Sequence, residues 1–292
     1  MSTETNKKKA DKSDKIALYI QRTLCYIVLI LLSILCLFSF YVLLINTTRS
    51  HPDIQKGFSL IPGKSFLVNM KNLLTDKQLP VLSGMANSLL VASGTAILSV
   101  YFSALTAYAI HAYNFRFKKL AFTFIMIIMM VPTQVSALGF IKQMSDMHLM
   151  NSFIPLVVPS IASPVVFFFI KQYMDSVLPI ELVEAARIDG AQEFRIFNQI
   201  VHPLMKPAIA VQAIFTFVAS WNNYFIPSLL LNKDSKKTLP ILIAQLRSAD
   251  FLKFDMGKVY MMLGFAILPV IIVYLCLSKF IVRGVTLGGV KG

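Results

Sequence analysis

Six apolar windows free of Asp, Glu, Lys and Arg run along the chain, at 23–48, 78–115, 120–141, 147–170, 207–232 and 259–278. Each holds the roughly 20 residues that an α-helix needs to cross the hydrocarbon layer of a membrane. Within lipid every backbone amide must be paired inside its own segment or in a closed barrel, and these windows lack the sustained alternation of barrel strands. The pattern therefore predicts an all-α integral membrane protein with six transmembrane helices. Pro132, Pro155, Pro159 and Pro164 fall in or at the ends of the third and fourth windows, where proline is expected to kink or end a helix.

Between the fourth and fifth windows lies a charged, amphipathic island, 178–207. Pro179 suits the first turn of a helix, and Glu181 and Glu184 place negative charge where the helix dipole favours it. Asp189-Gly190 offers a turn in which glycine takes positive φ without steric cost. From Ala191 a second amphipathic stretch is expected, with Phe194, Phe197, Ile200 and Val201 at helical spacing, stopping before Pro203 and Pro207. Helix, sharp turn and helix between two membrane segments read as a docking element.

Glu184-Ala185-Ala186, Asp189-Gly190-Ala191, Phe197, Ile200, Pro203-Leu204 and Pro207 resemble, with all spacings intact, the cytoplasmic "EAA" loop of ATP-binding-cassette (ABC) importer permeases. The resemblance implies that Glu184, Ala185, Ala186, Asp189, Gly190, Ala191 and Phe197 belong to a coupling helix seated in a groove of an ATPase subunit. On that reading the alanines permit close approach and the apolar side chains supply the buried anchor. Asn87-Ser88-Leu89, Ala107-Tyr108-Ala109, Trp221-Asn222, Lys237-Thr238-Leu239-Pro240 and the closing Gly289-Val290-Lys291-Gly292 look like the carbohydrate-uptake branch. That branch implies the type I importer permease fold, a second homologous permease, ABC ATPase subunits, an extracytoplasmic solute-binding protein, and a sugar or oligosaccharide cargo. The expected organisation is a cytoplasmic tail at 1–22, a first span at 23–48, an extracytoplasmic loop at 49–82 and a permease core at 83–282. The core contains the coupling loop 178–207 and an external loop 232–257; a cytoplasmic tail, 283–292, follows.

Composition supports the membrane class: 56% of the 292 residues are hydrophobic, 14% are charged and mean hydropathy is +0.68, against roughly 25% charged in soluble domains. The net charge of +14 flanks the spans instead of clustering with aromatics on a soluble domain, which argues against nucleic acid. Lys7, Lys8, Lys9, Lys12, Lys15 and Arg22 precede the first span, Arg116, Lys118 and Lys119 crowd the second connection, and Lys279, Arg283 and Lys291 follow the last. The positive-inside rule then puts both termini and the coupling loop in the cytoplasm of a bacterial cell. Lys233, Lys236, Lys237, Arg247, Lys253 and Lys258 on the opposite side oppose that orientation, and the loop resemblance breaks the tie. The lysine-rich start of the chain is expected to be disordered and able to touch anionic membrane lipid, and the first span to stay as an anchor. Cys25, Cys36 and Cys276 are expected to pack as small apolar residues; Cys25 and Cys36 are too far apart on one helix to pair.

In the fifth window Gln212, Thr216, Ser220 and Asn223 recur along one helical face. Such a stripe either hydrogen-bonds between helices or lines a path for a polar solute. Trp221, Asn222 and Asn223, roughly 20 Å along the helix from Pro207, offer an aromatic face and amides suited to a pyranose. No nucleophile or metal-ligand spacing accompanies Glu184 and Asp189, no GxxxxGK[ST] phosphate loop occurs in the sequence, and His51, His111, His148 and His202 are scattered. The chain is thus expected to be non-catalytic and without its own cofactor, with ATP and Mg bound by the partner ATPase. Two alternatives remain: an ABC permease for a non-sugar solute, and an ion-driven secondary transporter. The second calls for an ionisable residue within a span.

Overall fold

The computed structural model describes residues 2–76, 78–247 and 255–288, with side chains over 18–76, 78–247 and 255–280. The closing Gly289–Gly292 motif, Lys253 and the external segment 248–254 lie outside the described residues, as do the side chains of the lysine tail and Arg283. Those described residues fold into helices joined by short turns. The chain divides into two compact units, 1–71 with 255–264 and 72–254 with 265–292.

In the first unit, α1 (Ser2–Thr47) is one continuous helix. It covers the stretch expected to be a disordered tail. Extending an established helix adds one hydrogen bond per residue without a new nucleus, and the lysines, alanine and glutamate there are adequate helix formers. From Leu18 to Thr47 it is long and apolar enough to cross a membrane, with its apolar surface exposed. Beyond it, α2 (His51–Gln55) and the start of α3 (Phe66–Leu74) are tied to its end by polar side chains. Arg49 donates to Asn46 Oδ1 and to the carbonyls of Gly57 and Asp53, and the Asn69 amide donates to the carbonyls of Thr47 and Arg49.

The second unit is built around α4 (Val81–Ala112), against which the helices at 154–157, 164–177, 206–221 and 239–247 pack. The third window becomes two helices, α5 (Lys118–Met129) and α6 (Thr133–Asp146), bent by 95° with Pro132 at the break. Pro155 lies in the first turn of α7 (Ile154–Val157), Pro159 in the following 3-10 turn and Pro164 at the start of α8 (Pro164–Val177). After α8 come α9 (Ile180–Ile188), α10 (Glu193–Ile196), a π-helical turn (Phe197–Val201), α11 (His202–Leu204) and α12 (Lys206–Trp221). The path from α10 to α12 turns by 80°. Then α13 (Phe225–Leu230), α14 (Leu239–Arg247) and the long α15 (Met256–Gly288) complete the chain. Among the described residues four helical stretches meet the length and hydropathy of a membrane span, and counting each of the two bent pairs as one span gives six. The cysteines depart from expectation: Cys25, Cys36 and Cys276 are free and exposed. In a membrane protein an outward face is apolar too, so hydropathy alone does not separate core from lipid-facing positions.

Two of the short motifs meet in space. Asn87 Nδ2 donates to the carbonyls of Ser235 and Lys237, at 3.0 and 2.9 Å. Ser88 Oγ accepts from the buried amide of Leu239 at 2.8 Å. The start of α4 therefore clamps the segment that follows the fifth window, and Asn151, at φ 60°, accepts from the amides of Asn232 and Lys233 on its other side. Leaving a buried N–H without an acceptor costs about 1–3 kcal/mol. Ser88→Ala is therefore expected to lower the melting temperature of the purified protein while Ser88→Thr, which keeps the hydroxyl, lowers it less; equal melting of Ser88→Ala and the parent contradicts this role.

Candidate functional site: the 178–207 hairpin and a polar cleft

Pro179 caps α9 in extended conformation, at φ −65° and ψ 136°, with Glu181 in the first turn. Gly190 has φ +77°, as the Asp189-Gly190 turn predicts. Its amide donates to Arg187 O, and the amide of Ala191 donates to Ala186 O, both at 3.0 Å. These paired bonds close α9 in a Schellman motif that needs a left-handed residue after the cap. A Cβ at Gly190 would meet nothing within 4 Å, so glycine is required there by backbone conformation alone.

The second helix begins at Glu193, two residues later than expected, and does not stop at Pro203. Proline lacks an N–H, so Gln199 O loses its α-helical donor. The His202 amide bonds Phe197 O, five residues back, and the chain passes through a π turn into α11 and on to α12. Such turns shift the register of the side chains that follow.

One face of this hairpin is sunk into the second unit. Val183, Ile196, Phe197, Val201 and Met205 are fully buried with α4 and α8 residues including Ala104, Ala107, Tyr108, Phe167, Ile170 and Met174. The Phe197 ring lies 5.7 Å from the rings of both Tyr101 and Tyr108. At the centre, Glu193 accepts from Arg187 Nε at 2.6 Å and from Tyr108 Oη at 2.7 Å. The Arg187 guanidinium also sits over the Tyr113 ring, 5.1 Å from its centroid. The Arg187 guanidinium, with help from the Tyr108 hydroxyl, holds the Glu193 carboxyl down to about 2. This ties the Ala107-Tyr108-Ala109 motif of α4 to the hairpin, a link invisible in either segment alone.

The other face is open. Glu184, Ala185, Asp189 and Gly190 are exposed, Ala191 is half-buried, and Ala186 is buried under the turn. Phe197, expected among the apolar anchors for a partner, is fully buried within its own chain. The large apolar side chains that reach furthest into solvent, with Leu182 and Leu204 exposed to a lesser degree, are instead Ile188, 86% exposed, and Phe194, 69% exposed. A shallow cleft of about 310 Å³ opens beside them, bordered by Asp189, Gly190, Arg195 and Gln199. Ile188, Arg187 and Glu193 were not singled out from the sequence; opposite charges on either side of the glycine turn were the available signal.

The fifth-window stripe divides. Gln212 and Trp221 are buried, Thr216 and Ser220 are half-buried, and Asn222 and Asn223 are exposed. Trp221 stacks on Phe217 at 5.8 Å and its Nε1–H donates to Ala266 O of α15 at 3.1 Å. That uses the indole as an interhelical tie, in place of the sugar-facing role expected of it. Because α12 ends at Trp221, Asn223 lies beyond the helix and off the face that Gln212, Thr216 and Ser220 share. Asn222 Nδ2 donates to Val218 O. Asn223 lines a cleft of about 670 Å³ with Thr133, Ser136, Phe140 and Gln143 of α6 and Ile226 of α13. No lining residue carries a charge. Thr133 and Ser136 went unnoticed because their window reads as one apolar span until Pro132 bends it, and Gln143 because it falls just beyond that window, after Lys142.

At the end of α8 an ionisable cluster lies inside an apolar helix. Lys171 Nζ donates to both Asp175 oxygens at 2.5 and 2.6 Å, and His111 contacts Asp175 Oδ1 at 2.8 Å and Leu178 O at 3.1 Å. Lys171 closes its charge on Asp175 one helical turn away, and both sit in the last turns before the hairpin. Among the described residues no group of His, Cys, Asp and Glu side chains could hold a metal ion.

Because the Glu193 carboxyl is depressed in the folded state, its stabilisation is complete above its ordinary value of 4.5 and lost as pH falls toward 2. Amide exchange at Gly190 and Phe194, corrected for intrinsic rates, is expected to accelerate across that interval. Glu193→Gln should be fast throughout and show no such transition; a transition retained in Glu193→Gln contradicts the assignment.

The family described as "Binding-protein-dependent transport system inner membrane component" matches residues 99–287. The chain is 36% identical to the arabinooligosaccharides transport system permease protein AraQ of Bacillus subtilis over 267 residues, covering 90% of this chain and 93% of that one. It is 30% identical to the sn-glycerol-3-phosphate transport system permease protein UgpE of Yersinia pestis, covering 89% and 94%. It is 28% identical to the lactose transport system permease protein LacG of Rhizobium radiobacter, covering 91% and 95%. A solved structure of a bacterial ABC transporter involved in the import of the acidic polysaccharide alginate superposes with a TM-score of 0.76 at 21% identity, over 89% of this chain and 96% of that one. With the hairpin, the spans and the profile in agreement, this chain belongs to the inner membrane components of binding-protein-dependent ABC transport systems.

Proposed function

We propose that the protein is the non-catalytic permease subunit of an ATP-driven importer that takes up a sugar or oligosaccharide. It sits in a bacterial cell membrane with both termini and the 178–207 hairpin in the cytoplasm. A second homologous permease completes the path, an extracytoplasmic binding protein delivers the cargo, and the partner ATPase binds ATP and Mg. The observation that carries this reading is the hairpin: one face locked to α4 and α8, the other leaving Ile188 and Phe194 exposed. A helix-in-groove contact needs such apolar anchors on a rigid support.

ATP closes the two nucleotide-binding subunits, and each draws a hairpin with it. Because Glu193 and Phe197 fasten the hairpin to α4, the helices shift as a body and the path opens to the other side. Hydrolysis resets the cycle. Cargo meets the cleft at Asn223, Gln143, Ser136, Thr133 and Phe140, whose amides and hydroxyls suit sugar hydroxyls and whose ring suits an apolar sugar face. A phosphorylated cargo, which the name of the UgpE relative raises as a second reading, calls for cations that this lining lacks.

The double variant Ile188→Asp/Phe194→Asp removes two apolar anchors, each worth about 1.5–3 kcal/mol when fully buried. It is expected to insert normally and to copurify at least about tenfold less ATPase. Gly190→Val should lower ATPase stimulation, with Gly190→Asn, which tolerates positive φ, in between; unchanged assembly and uptake in both sets contradict the proposal. For cargo, Gln143→Leu/Asn223→Leu should reduce ATP-dependent uptake of labelled oligosaccharide into vesicles while leaving ATPase assembly intact. Uptake equal to the parent removes the cleft from the path.

A further inference from the structure

Beside the hairpin, and separate from it, a second cleft of about 610 Å³ opens where α4 ends, α5 begins and α8 makes its last turns. Its polar lining is His111, Lys118, Lys119, Thr123, Lys171 and Asp175, with Ile110 and Phe122 between them. The charges do not cancel. Lys171 and Asp175 satisfy one another, with Lys171 nearly buried. His111 Nδ1 lies 2.8 Å from Asp175 Oδ1 and Nε2 lies 3.1 Å from Leu178 O. Lys118 donates to His111 O at 3.4 Å, while Lys119 is exposed. Both lie in the first turn of the twelve-residue α5, whose cap Phe117 supplies no side-chain hydrogen bond. The positive end of the helix dipole thus adds to two lysines at the mouth of one cleft.

The surroundings select the kind of anion. All three contributing helices meet here at the ends of apolar segments, the level of lipid headgroups. From the cleft, α5 continues as a bare apolar ramp: Leu120, Phe124 and Ile127 are each more than half exposed, and α5 buries none of its residues. A soluble anion has no use for that ramp. An amphiphile with a phosphate head and acyl chains fills both, and basic clefts between spans suit anionic headgroups.

We propose that this cleft is a headgroup site for an anionic phospholipid, its phosphate held by Lys118, Lys119 and the Thr123 hydroxyl and its acyl chains laid along Leu120, Phe124 and Ile127. Lys171 and Asp175 form the polarised wall. Through His111 the same wall touches Leu178 O, the last carbonyl before Pro179 opens the hairpin, so an occupied cleft stiffens the root of α9.

The test uses the complete transporter, delipidated and returned to bilayers of phosphatidylcholine with or without phosphatidylglycerol. Mass spectrometry of the intact complex should show phosphatidylglycerol retained by the parent and by Arg116→Gln, whose charge lies outside the cleft. Retention should fall about tenfold or more in Lys118→Gln/Lys119→Gln. Equal retention in the double variant, or an equal loss in Arg116→Gln, overturns the proposal. So does full displacement of the lipid by inorganic phosphate, which would make the cleft a soluble-anion site. Should the double variant not assemble, a probe that keeps both lysines and Thr123 decides: in Phe122→Trp, at a cleft-lining ring, brominated phosphatidylglycerol should quench the new indole more than brominated phosphatidylcholine does, Trp221 being buried. Equal quenching by the two lipids contradicts a headgroup site.

Discussion

Close approach along one stripe of α4 sets the geometry of the second unit. Gly84, Ser88, Ala92, Ala96, Ser99, Ser103 and Ala107 fall at three- and four-residue spacing and are all buried. In lipid there is little hydrophobic gain from bringing apolar helices together, so association rests on van der Waals packing and on hydrogen bonds between helices. Small side chains supply the first. Hydroxyls supply the second, with Ser103 Oγ donating to Ser163 O and Thr95 Oγ1 to Leu156 O. The helices α8 and α12 pack closely on this stripe, and a larger residue in it would part them.

The same helix serves both ends of the unit. Near Val81, Asn87 and Ser88 grip residues 235–239; near Ala112, Tyr108 grips Glu193 and the tyrosine pair encloses Phe197. A displacement applied at the exposed turn of the hairpin therefore has a short route into a stiff helix. The hairpin and the segment that follows the fifth window are fastened to one rod. This physical link makes a loop of some thirty residues an effective handle, and it explains why the hairpin surrenders its best apolar residues to its own core. Ile188 and Phe194 are the most exposed of the large apolar side chains it keeps at its surface.

Spans and hairpin were legible because each leaves a one-dimensional trace. An apolar run of span length has few alternatives in lipid, and the Asp189-Gly190 turn between amphipathic stretches announces positive φ, found at +77° for Gly190. Roles set by long-range contacts left no such trace. Trp221 reads as a ligand platform along the sequence, yet a helix ending at that residue turns its ring onto Phe217 and Ala266. Gln143 and Ser136 border the polar cleft only because α5 and α6 meet at 95°. The link from Arg187 to Glu193 and Tyr108 joins residues up to 85 positions apart. Pattern along the chain identifies what must be buried in membrane; it does not say which buried surfaces face one another.

The claim on which the rest turns is that hairpin and α4 move as one body. Spin labels at exposed Gln199 and exposed Ile97, placed by Gln199→Cys and Ile97→Cys with Cys25, Cys36 and Cys276 replaced, report that distance in the assembled transporter by double electron–electron resonance. A single, narrow distance, the same without nucleotide and with ATP trapped, is predicted. A distance that shifts or broadens when ATP binds would show the hairpin swinging on its own, and would contradict transmission through the Glu193 and Phe197 attachment.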